Sequence, residues 1–304
     1  MEDTAVHTVL ITGYSGLIGQ YISTYLSQKG FIVKGLTQSK SHVSESVFYW
    51  NVNEQQIDKR ALENVDGVIH LAGENVADSR WSSTRKKEII DSRVNSSLFL
   101  ARTLKETNTK LKVLIGTSGT GYYGSITSHK IFTEEDDAGM DFLGECCLLW
   151  EKSYQAFNEV AERIVILRLP TVLSKNDGAL QKIVPIVKLG LASPIGSGNQ
   201  YMPLVCMDDL MNLYEFIISN PQLQGTFNAN APCHVTNKQL MVGIAKVLHK
   251  PFIMPAVPAF LLKVIYGEFA SVLLEGSRVS SDKLINSGFT FSHPTLESML
   301  KSVL

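Results

Sequence analysis

The sequence lacks a surplus of charge of either sign. Its 304 residues include 28 Lys and Arg against 29 Asp and Glu, which leaves a formal net charge of −1. A chain this close to neutrality offers no electrostatic reason to expect nucleic acid or an anionic membrane as its main partner. We therefore predict a small-molecule substrate and no binding to nucleic acid or membrane.

Cysteines are few and show no useful spacing. The chain has four of them, two of which are adjacent: Cys146, Cys147, Cys206 and Cys233. This pattern predicts neither a disulfide framework nor a bound metal, and it fits a reducing compartment.

Long apolar runs are missing as well. The longest candidate, AFLLKVIYGEFASVLL, is interrupted by Lys263 and Glu268, whereas a transmembrane helix needs about 20 consecutive apolar residues. Acidic rather than basic residues precede the first apolar run, so we expect no secretory signal. We predict a cytoplasmic protein whose length suits one large domain with a smaller lobe.

Strand-like and helix-like segments alternate along residues 1–173. A helix that ends at Gly30 follows the strand HTVLITG, and a longer helix is expected from Thr84 to Thr107. The other strand-like segments are FIVKGLT, GVIHLAG, KVLIGTSG and RIVILRLPTVL. Such alternation is typical of an α/β protein with helices on both faces of a parallel sheet. We predict a doubly wound parallel sheet of Rossmann type with a small, mainly helical C-terminal lobe.

The character of the chain changes after Leu173. Residues 174–200 mix Gly and Pro with a short helical run, and the chain is mostly helical from Pro232 onward. We predict a nucleotide-binding domain made of residues 1–173 plus about 201–231. The smaller lobe then consists of residues 174–200 plus 232–304.

The stretch TGYSGLIG, residues 12–19, places three glycines between the first strand and the first helix. Gly13 allows a sharp turn, Gly16 lets the backbone approach a pyrophosphate, and Gly19 permits close helix packing. The helix N-terminus then offers amides and a partial positive charge to phosphates. The spacing G-x-x-G-x-x-G is that of short-chain dehydrogenases/reductases. The alternative is a tight turn that binds no ligand.

The second strand ends without the carboxylate that selects NAD by binding a ribose hydroxyl. In its place the chain reads Thr37, Gln38, Ser39 and Lys40. The missing acid and the added cation favour a 2′-phosphate, so we predict NADP as the cofactor. The alternative is that Lys40 points to water, as most surface lysines do.

Six segments together resemble the atypical extended short-chain dehydrogenases/reductases: TGYSGLIG, HLAGENV, RWSSTRKKEIIDSRV, GTGYYG, PIGSGNQ and GEFASVLLEGSRVSSDKLINSGFTFSHPTLESML. More narrowly, the chain resembles the epimerase family protein group, which is related to nucleoside-diphosphate-sugar epimerases and ends in its own small C-terminal domain. The resemblance covers nearly the whole chain and implies NADP(H). It also makes a mitochondrial location an alternative.

The resemblance adds site residues and one departure. It points to Thr37, Gln38, Leu71 and Ala72, and to Glu88 and Arg93 in the helix after Trp81. Relatives commonly carry Arg at the position of Gln38, which weakens the NADP prediction and leaves Lys40 as a substitute. The predicted cofactor site consists of Gly13, Tyr14, Ser15, Gly16, Leu17, Ile18, Gly19, Thr37, Gln38, Lys40, Leu71, Ala72, Gly73, Glu88, Arg93, Pro170 and Thr171.

Arg93 has a plain alternative. Lys87 and Asp91 lie four residues apart on the same predicted helix. This surface is therefore also consistent with an ordinary charged helix face.

The catalytic pair of the superfamily is missing. Its members use a carbonyl-polarising Ser with Tyr and Lys at Tyr-x-x-x-Lys spacing, which places both side chains on one helix face. The match from Tyr25 to Lys29 lies in the first helix, at the wrong point in the chain order. In the helix after GTGYYG, Leu143 and Cys147 occupy the two positions. Neither side chain can perform that acid–base chemistry.

Ser118, Tyr122 and Tyr123 remain as the predicted catalytic residues. Ser118 ends a strand where the carbonyl-polarising hydroxyl is expected, and either tyrosine could donate a proton near the nicotinamide. A phenol with an unperturbed pKa of about 10 is a poor base at neutral pH. The alternatives are a backbone-capping Ser and tyrosines that pack the cleft wall.

Two functions are consistent with this pattern. The first is an NADP(H)-dependent oxidoreductase or epimerase-like enzyme that acts on an unidentified small substrate. The second is a catalytically inactive NADP(H)-binding regulator or scaffold. Assembly into a homo-oligomer is compatible with either.

Overall fold

A computed structural model of the chain describes residues 5–175 and 177–304. The strands are β1 (Thr8–Thr12), β2 (Ile32–Thr37), β3 (Val47–Asn51), β4 (Gln56–Ile57), β5 (Gly67–His70), β6 (Val113–Gly119), β7 (Ile131–Phe132), β8 (Ile164–Leu169), β9 (Thr171–Ser174), β10 (Leu204–Cys206), β11 (Gly225–Asn228) and β12 (Arg278–Val279). The α-helices are α1 (Leu17–Gln28), α2 (Ser83–Glu106), α3 (Phe142–Ser153), α4 (Gly178–Lys188), α5 (Met207–Ser219), α6 (Asn237–Val247), α7 (Ala259–Tyr266), α8 (Ala270–Leu274), α9 (Asp282–Asn286) and α10 (Leu296–Val303).

Eight strands form one sheet in the order β11-β8-β6-β5-β1-β2-β3-β4. Neighbouring strands run parallel except β3 and β4, which are antiparallel. The chain builds outward from β1 in one direction and then crosses to β5 to build outward in the other. This order confirms the predicted doubly wound sheet. It also places the topological switch point, where such sheets bind ligands, at the carboxyl ends of β1 and β5.

Alternating side chains of the strands build a core on each face of the sheet. Val9 and Ile11 of β1 belong to the core under α1 and α5, whereas Leu10 belongs to the core under α2 and α3. All three are buried. This alternation follows from the two-residue period of a strand. Burial on both faces also explains why the strands read as continuous apolar runs.

Two features of the sheet differ from the sequence-based prediction. The prediction of one strand over RIVILRLPTVL is wrong, because the segment divides at Pro170 into β8 and β9. Proline has no N–H to donate to a sheet, and β9 leaves the main sheet to pair with β10. The short strands β3 and β4 at one end of the sheet and β11 at its other edge were not predicted.

The C-terminal part is mainly helical, as predicted. After β11 the chain forms helices α6 to α10, together with β12, which pairs with β7. The division into residues 1–173 plus 201–231 and the remaining lobe stays a prediction. Within the described residues, no helix has the length and apolar character needed to cross a bilayer.

Candidate functional site

The turn between β1 and α1 requires glycine for steric reasons. Gly13 has a φ of +65°, and its carbonyl accepts a hydrogen bond of 3.0 Å from the Gly16 amide. A Cβ on Gly19 would lie 2.3 Å from the Gly13 carbonyl oxygen, and a Cβ on Gly13 would lie 2.9 Å from the Leu71 backbone. Side chains at these positions would clash with backbone, which cannot move aside cheaply. The loop therefore holds α1 close against the ends of β1 and β5.

The N-terminus of α1 is open to a ligand. Gly16 is the N-cap residue and supplies no capping side chain, and Ser15 and Gly16 are exposed. The first amides of a helix have no partner within the helix and carry a partial positive charge. The half-buried Leu17 and Ile18 flank this end. The geometry suits a phosphate group bound by backbone amides.

Tyr14 packs away from this opening. A Cβ on Gly35 of β2 would lie 2.4 Å from the Tyr14 ring, so the ring lies directly on the β2 backbone. Tyr14 thereby joins the loop to the neighbouring strand.

A buried network that the sequence analysis missed holds the end of β5. Thr12 Oγ1 accepts hydrogen bonds of 3.1 Å from the amides of Leu71 and Ala72, and it lies 2.9 Å from His70 Nδ1. Because Thr12 Oγ1 already accepts twice, its proton goes to His70 Nδ1. The backbone of Leu71 and Ala72, two of the predicted cofactor residues, is thus held beside Gly13.

The other side of His70 faces α2. Its Nε2 lies 3.2 Å from Ser96 Oγ and from Ser97 Oγ, and both hydroxyls donate to the Arg93 carbonyl. Nε2 therefore carries the proton and donates it. Burial lowers the pKa of His70 to about 3, which keeps the ring neutral. A histidine inside the apolar run GVIHLAG, opposite Thr12, was the available sequence signal.

The end of β2 presents polar groups to solvent. Thr37 is buried and its hydroxyl accepts from the Ser39 amide at 3.2 Å, whereas Gln38 and Lys40 are exposed. Lys40 Nζ lies 5.2 Å from the centroid of the Tyr49 ring on β3. The positive charge of Lys40 at this exposed end of β2 suits a 2′-phosphate better than it suits a ribose hydroxyl.

Arg93 does not belong to the exposed face of α2. Its guanidinium lies 4.9 Å from the Trp150 ring, and a Cβ on Gly73 would lie 3.1 Å from its side chain. Lys87 and Asp91 do form the surface ion pair that the spacing suggested. The plain alternative therefore holds for that pair but not for Arg93, which faces the loop after β5.

Glu88 lies on the rim of the same loop. It pairs with Arg85 at 3.1 Å, and Arg85 also pairs with Glu74 at 3.2 Å. Both carboxylates are about half exposed, so these pairs contribute little stability. Glu88 is connected to the predicted cofactor site only through Arg85.

The end of β6 faces α3, where the usual catalytic pair is replaced. Ser118 is buried close to the Cys147 thiol, and its Oγ makes no hydrogen bond of good geometry among the described residues. A Cβ on Gly119 would lie 3.8 Å from Cys147 Sγ, and one on Gly121 would lie 3.2 Å from Leu143. Leu143 and Cys147 thus stand beside the end of β6, as the sequence analysis expected. Burial raises the pKa of Cys147 to about 12, so no charge arises there at neutral pH.

Tyr123 is held inside the protein. It is fully buried, its hydroxyl donates to Asn228 Oδ1 at 2.7 Å, and it accepts from Arg168 Nη1 at 3.0 Å. Burial raises its pKa to about 12. These contacts favour a structural role for Tyr123 over the predicted role in proton transfer.

Tyr122 lies against a charged group that the sequence analysis did not identify. The Arg168 guanidinium lies 3.4 Å from the centroid of the Tyr122 ring, and Glu151 binds Arg168 through two hydrogen bonds of 2.9 Å. Burial raises the pKa of Tyr122, with Arg168 acting in the opposite direction. The phenol therefore stays protonated at neutral pH.

Pro170 and Thr171 follow β8 at the same edge of the sheet. Leu169 pairs in register with Gly119 of β6, so Pro170 comes next to the turn after Ser118. Pro170 is buried and Thr171 is half-buried, with its amide bound to the Pro203 carbonyl at 3.1 Å. The structure thus brings most of the predicted cofactor residues to one edge of the sheet, along the ends of β2, β1, β5 and β8, with Arg93 of α2 facing the loop after β5 and Glu88 on its rim.

Comparison with known proteins agrees with this architecture. The sequence profile of the NAD dependent epimerase/dehydratase family matches residues 9–229, and a domain of unknown function, DUF1731, matches residues 257–303. The chain therefore belongs to the NAD-dependent epimerase/dehydratase family. Its relatives are named epimerase family proteins, as the resemblance predicted, and the chain has a separate C-terminal domain, the DUF1731 match.

Individual relatives cover nearly the whole chain. An epimerase family protein of Mycobacterium bovis is 32% identical over 96% of both chains. The chloroplastic homolog of epimerase family protein SDR39U1 from Arabidopsis thaliana is 30% identical over 98% of this chain and 86% of its own. The crystal structure of human epimerase family protein SDR39U1 with NADPH superposes with a TM-score of 0.87 at 25% identity, covering 97% of this chain and 98% of that one. These likenesses support a nicotinamide nucleotide cofactor.

Proposed function

We propose that this protein binds NADP(H) along the carboxyl edge of the sheet and reduces a carbonyl group of a small substrate. The open N-terminus of α1, which the glycine turn holds beside the Leu71–Ala72 backbone, is the observation that carries the proposal. It offers amides to a pyrophosphate next to a surface for the adenosine. The human relative that was solved with NADPH covers the full fold and supports the same reading.

The preference for NADP over NAD rests on the end of β2. Residues 37–44 contain no Asp or Glu, so a 2′-phosphate meets no carboxylate in this segment. Lys40 is exposed there and takes part in no ion pair among the described residues. In our proposal it replaces the Arg that relatives commonly carry at the position of Gln38.

The chemistry follows from the two hydroxyl groups that remain. A bound nicotinamide supplies the hydride. Ser118 Oγ, which is buried and makes no hydrogen bond of good geometry among the described residues, donates a hydrogen bond to the substrate carbonyl oxygen and polarises it. Tyr122, whose raised pKa keeps it protonated, delivers the proton to that oxygen. At neutral pH the Tyr122 phenol is therefore in the protonated form that proton delivery to the carbonyl oxygen requires.

A screen for NADPH consumption with carbonyl compounds and sugar nucleotides tests this proposal. We expect turnover by the wild type and a loss of about 100-fold in Ser118→Ala and in Tyr122→Phe, since a positioned acid or donor contributes about 10²–10⁴. Ser128→Ala, in the loop before β7, is the matched control and retains activity. Turnover that is unchanged in Ser118→Ala would contradict the assigned role.

The alternative is a dinucleotide-binding regulator without catalysis. The observation that favours it is the apolar pair Leu143 and Cys147 at the end of β6, where acid–base groups usually stand. In this case NADPH binds, no compound in the screen is turned over, and Ser118→Ala retains the biological effect while Gly16→Asp abolishes it. Robust turnover would exclude this function.

A further inference from the structure

The chain has eight arginines, and Arg278 differs from the other seven. Seven donate hydrogen bonds to oxygen atoms: Arg60, Arg80, Arg85, Arg93, Arg102, Arg163 and Arg168. Arg278 donates to no acceptor within residues 5–175 and 177–304, and its Nε is buried. A buried N–H without an acceptor costs about 1–3 kcal/mol. An acceptor supplied by a ligand would remove that cost.

The surroundings of Arg278 are polar and contain no paired carboxylate. Its guanidinium lies 5.5 Å from the centroid of the Tyr201 ring, and its charge lowers the pKa of the half-buried His234, after the larger effect of burial. Asp282 raises that pKa slightly but forms no ion pair with Arg278 among the described residues. Gln200, next to Tyr201, is buried with its Oε1 unpartnered.

The segment that carries Arg278 crosses the edge of the sheet where the reaction is proposed. Ser277 Oγ donates to the Gly124 carbonyl at 2.8 Å, at the end of the turn that follows Ser118 and contains Tyr122. On the other side, Asn230 Nδ2 donates to the Val279 carbonyl at 3.1 Å, just beyond β11. β12 is therefore tied between the turn after β6 and the end of β11.

We infer that Arg278, beside the Tyr201 ring, forms a subsite for an oxyanion, a phosphate or a carboxylate, carried by the substrate. This inference rests on the proposed function in one respect: it assigns the anion to the substrate of the proposed reaction. The planar guanidinium offers parallel N–H donors that match the two oxygens of a phosphate or carboxylate. The missing counterion leaves that charge available.

The His234 imidazole reports occupancy directly. A bound oxyanion offsets the charge of Arg278, so the pKa of His234 rises on binding and its proton NMR signal moves toward the protonated position. The experiment titrates the full-length protein with inorganic phosphate and, separately, with acetate near pH 6.5. The signal is assigned by its loss in His234→Gln. Comparison of the two titrations identifies which oxyanion the subsite prefers.

We expect a saturable shift with at least one anion in the wild type and in Lys283→Met, which removes another cation of the same segment. Arg278→Met should weaken binding at least about tenfold, since it removes the charge-assisted hydrogen bonds to the anion. Arg278→Lys should retain part of it. A midpoint temperature of thermal unfolding equal to that of the wild type would show that Arg278→Met is folded.

Two results would overturn the subsite: no saturable shift with either anion, or the same affinity in Arg278→Met. Titration of NADPH in the same samples keeps the two proposals apart. If NADPH does not bind but an anion shifts the His234 signal, only the proposed function is contradicted. If NADPH binds but neither anion shifts the His234 signal, only the oxyanion subsite is contradicted.

Discussion

The glycine turn after β1 and the N-terminal half of α3 lie at the same edge of one sheet, but they offer different groups to a ligand: the turn offers main-chain atoms and the helix offers side chains. The turn works through its backbone, since Gly13 and Gly19 are required by clashes of 2.9 Å and 2.3 Å with neighbouring main-chain atoms. Helix α3 would have to work through side chains, and it presents Leu143 and Cys147 to the end of β6. The turn thus offers main-chain groups to a ligand, whereas this part of α3 presents side chains that carry no charge at neutral pH.

Phosphate binding and proton transfer make different demands on the chain. Backbone amides and a helix dipole can hold a phosphate without a basic side chain, provided that no acidic side chain stands beside them. Proton transfer needs particular side chains with suitable pKa values. In this protein the remaining candidates are Ser118 on β6 and Tyr122 in the turn beyond it, outside the helix that usually supplies the acid.

The largest effect is expected from a charge placed in the glycine turn. Gly16→Asp puts a carboxylate at the N-terminus of α1, where it competes with and repels the pyrophosphate. NADPH affinity should fall at least about 100-fold, or about 2.7 kcal/mol, as measured by calorimetry. Thr24→Asp adds the same charge to an exposed position on the same helix and should bind like the wild type. A Gly16→Asp variant with wild-type affinity would mean that the phosphates lie elsewhere.

The neutral network under the binding region predicts a pH dependence of stability. The pKa of His70 is about 3 in the folded chain and about 6.5 unfolded, so only the unfolded state binds this proton between those values. His70 therefore contributes nothing to pH dependence above pH 6.5 and lowers stability as the pH falls below it. The effect is about 1.4 kcal/mol per pH unit.

Denaturant unfolding from pH 7 to pH 5 measures this slope. His70→Asn, whose side-chain oxygen can accept a hydrogen bond from Thr12, should lose less stability per pH unit than the wild type. His249→Asn, at an exposed position, should lose as much stability as the wild type. Parallel slopes for wild type and His70→Asn would show that His70 is protonated in the folded protein.

A smaller effect is expected at the end of β2. Lys40→Met should weaken NADPH about tenfold, or about 1.4 kcal/mol, and leave NADH unchanged, because only NADPH carries the 2′-phosphate. Lys59→Met, another exposed lysine, is the control for general charge. Equal losses for both nucleotides would assign Lys40 to a part of the cofactor that they share.

The smallest effect is expected on α3. Cys147→Ala should change NADPH affinity by no more than about twofold, because the buried thiol is neutral and supplies no charge to the cofactor. The same titration measures it. A loss above about tenfold would mean that this side of the cleft binds the nicotinamide, and the contrast between the two regions would fail.

Sequence reasoning succeeded where local sterics decide the structure. The turn at Gly13, the buried strand that carries Ser118 and the replacement at Cys147 follow from residues close together in the chain. The contact between Arg168 and Tyr122 could not be predicted in that way, because it joins residues 46 positions apart, on β8 and in the turn after β6, through a side-chain geometry that only packing defines. For the same reason the sequence could not decide between a catalytic and a packing role for Tyr123.

The central claim is that the cleft holds NADP(H), and parallel titration with NADPH and NADH tests it most directly. Binding is followed by quenching of the fluorescence of Trp50, Trp81 and Trp150. The account predicts saturable binding of both nucleotides, with NADPH bound about tenfold tighter through Lys40. Saturation by neither nucleotide would contradict it.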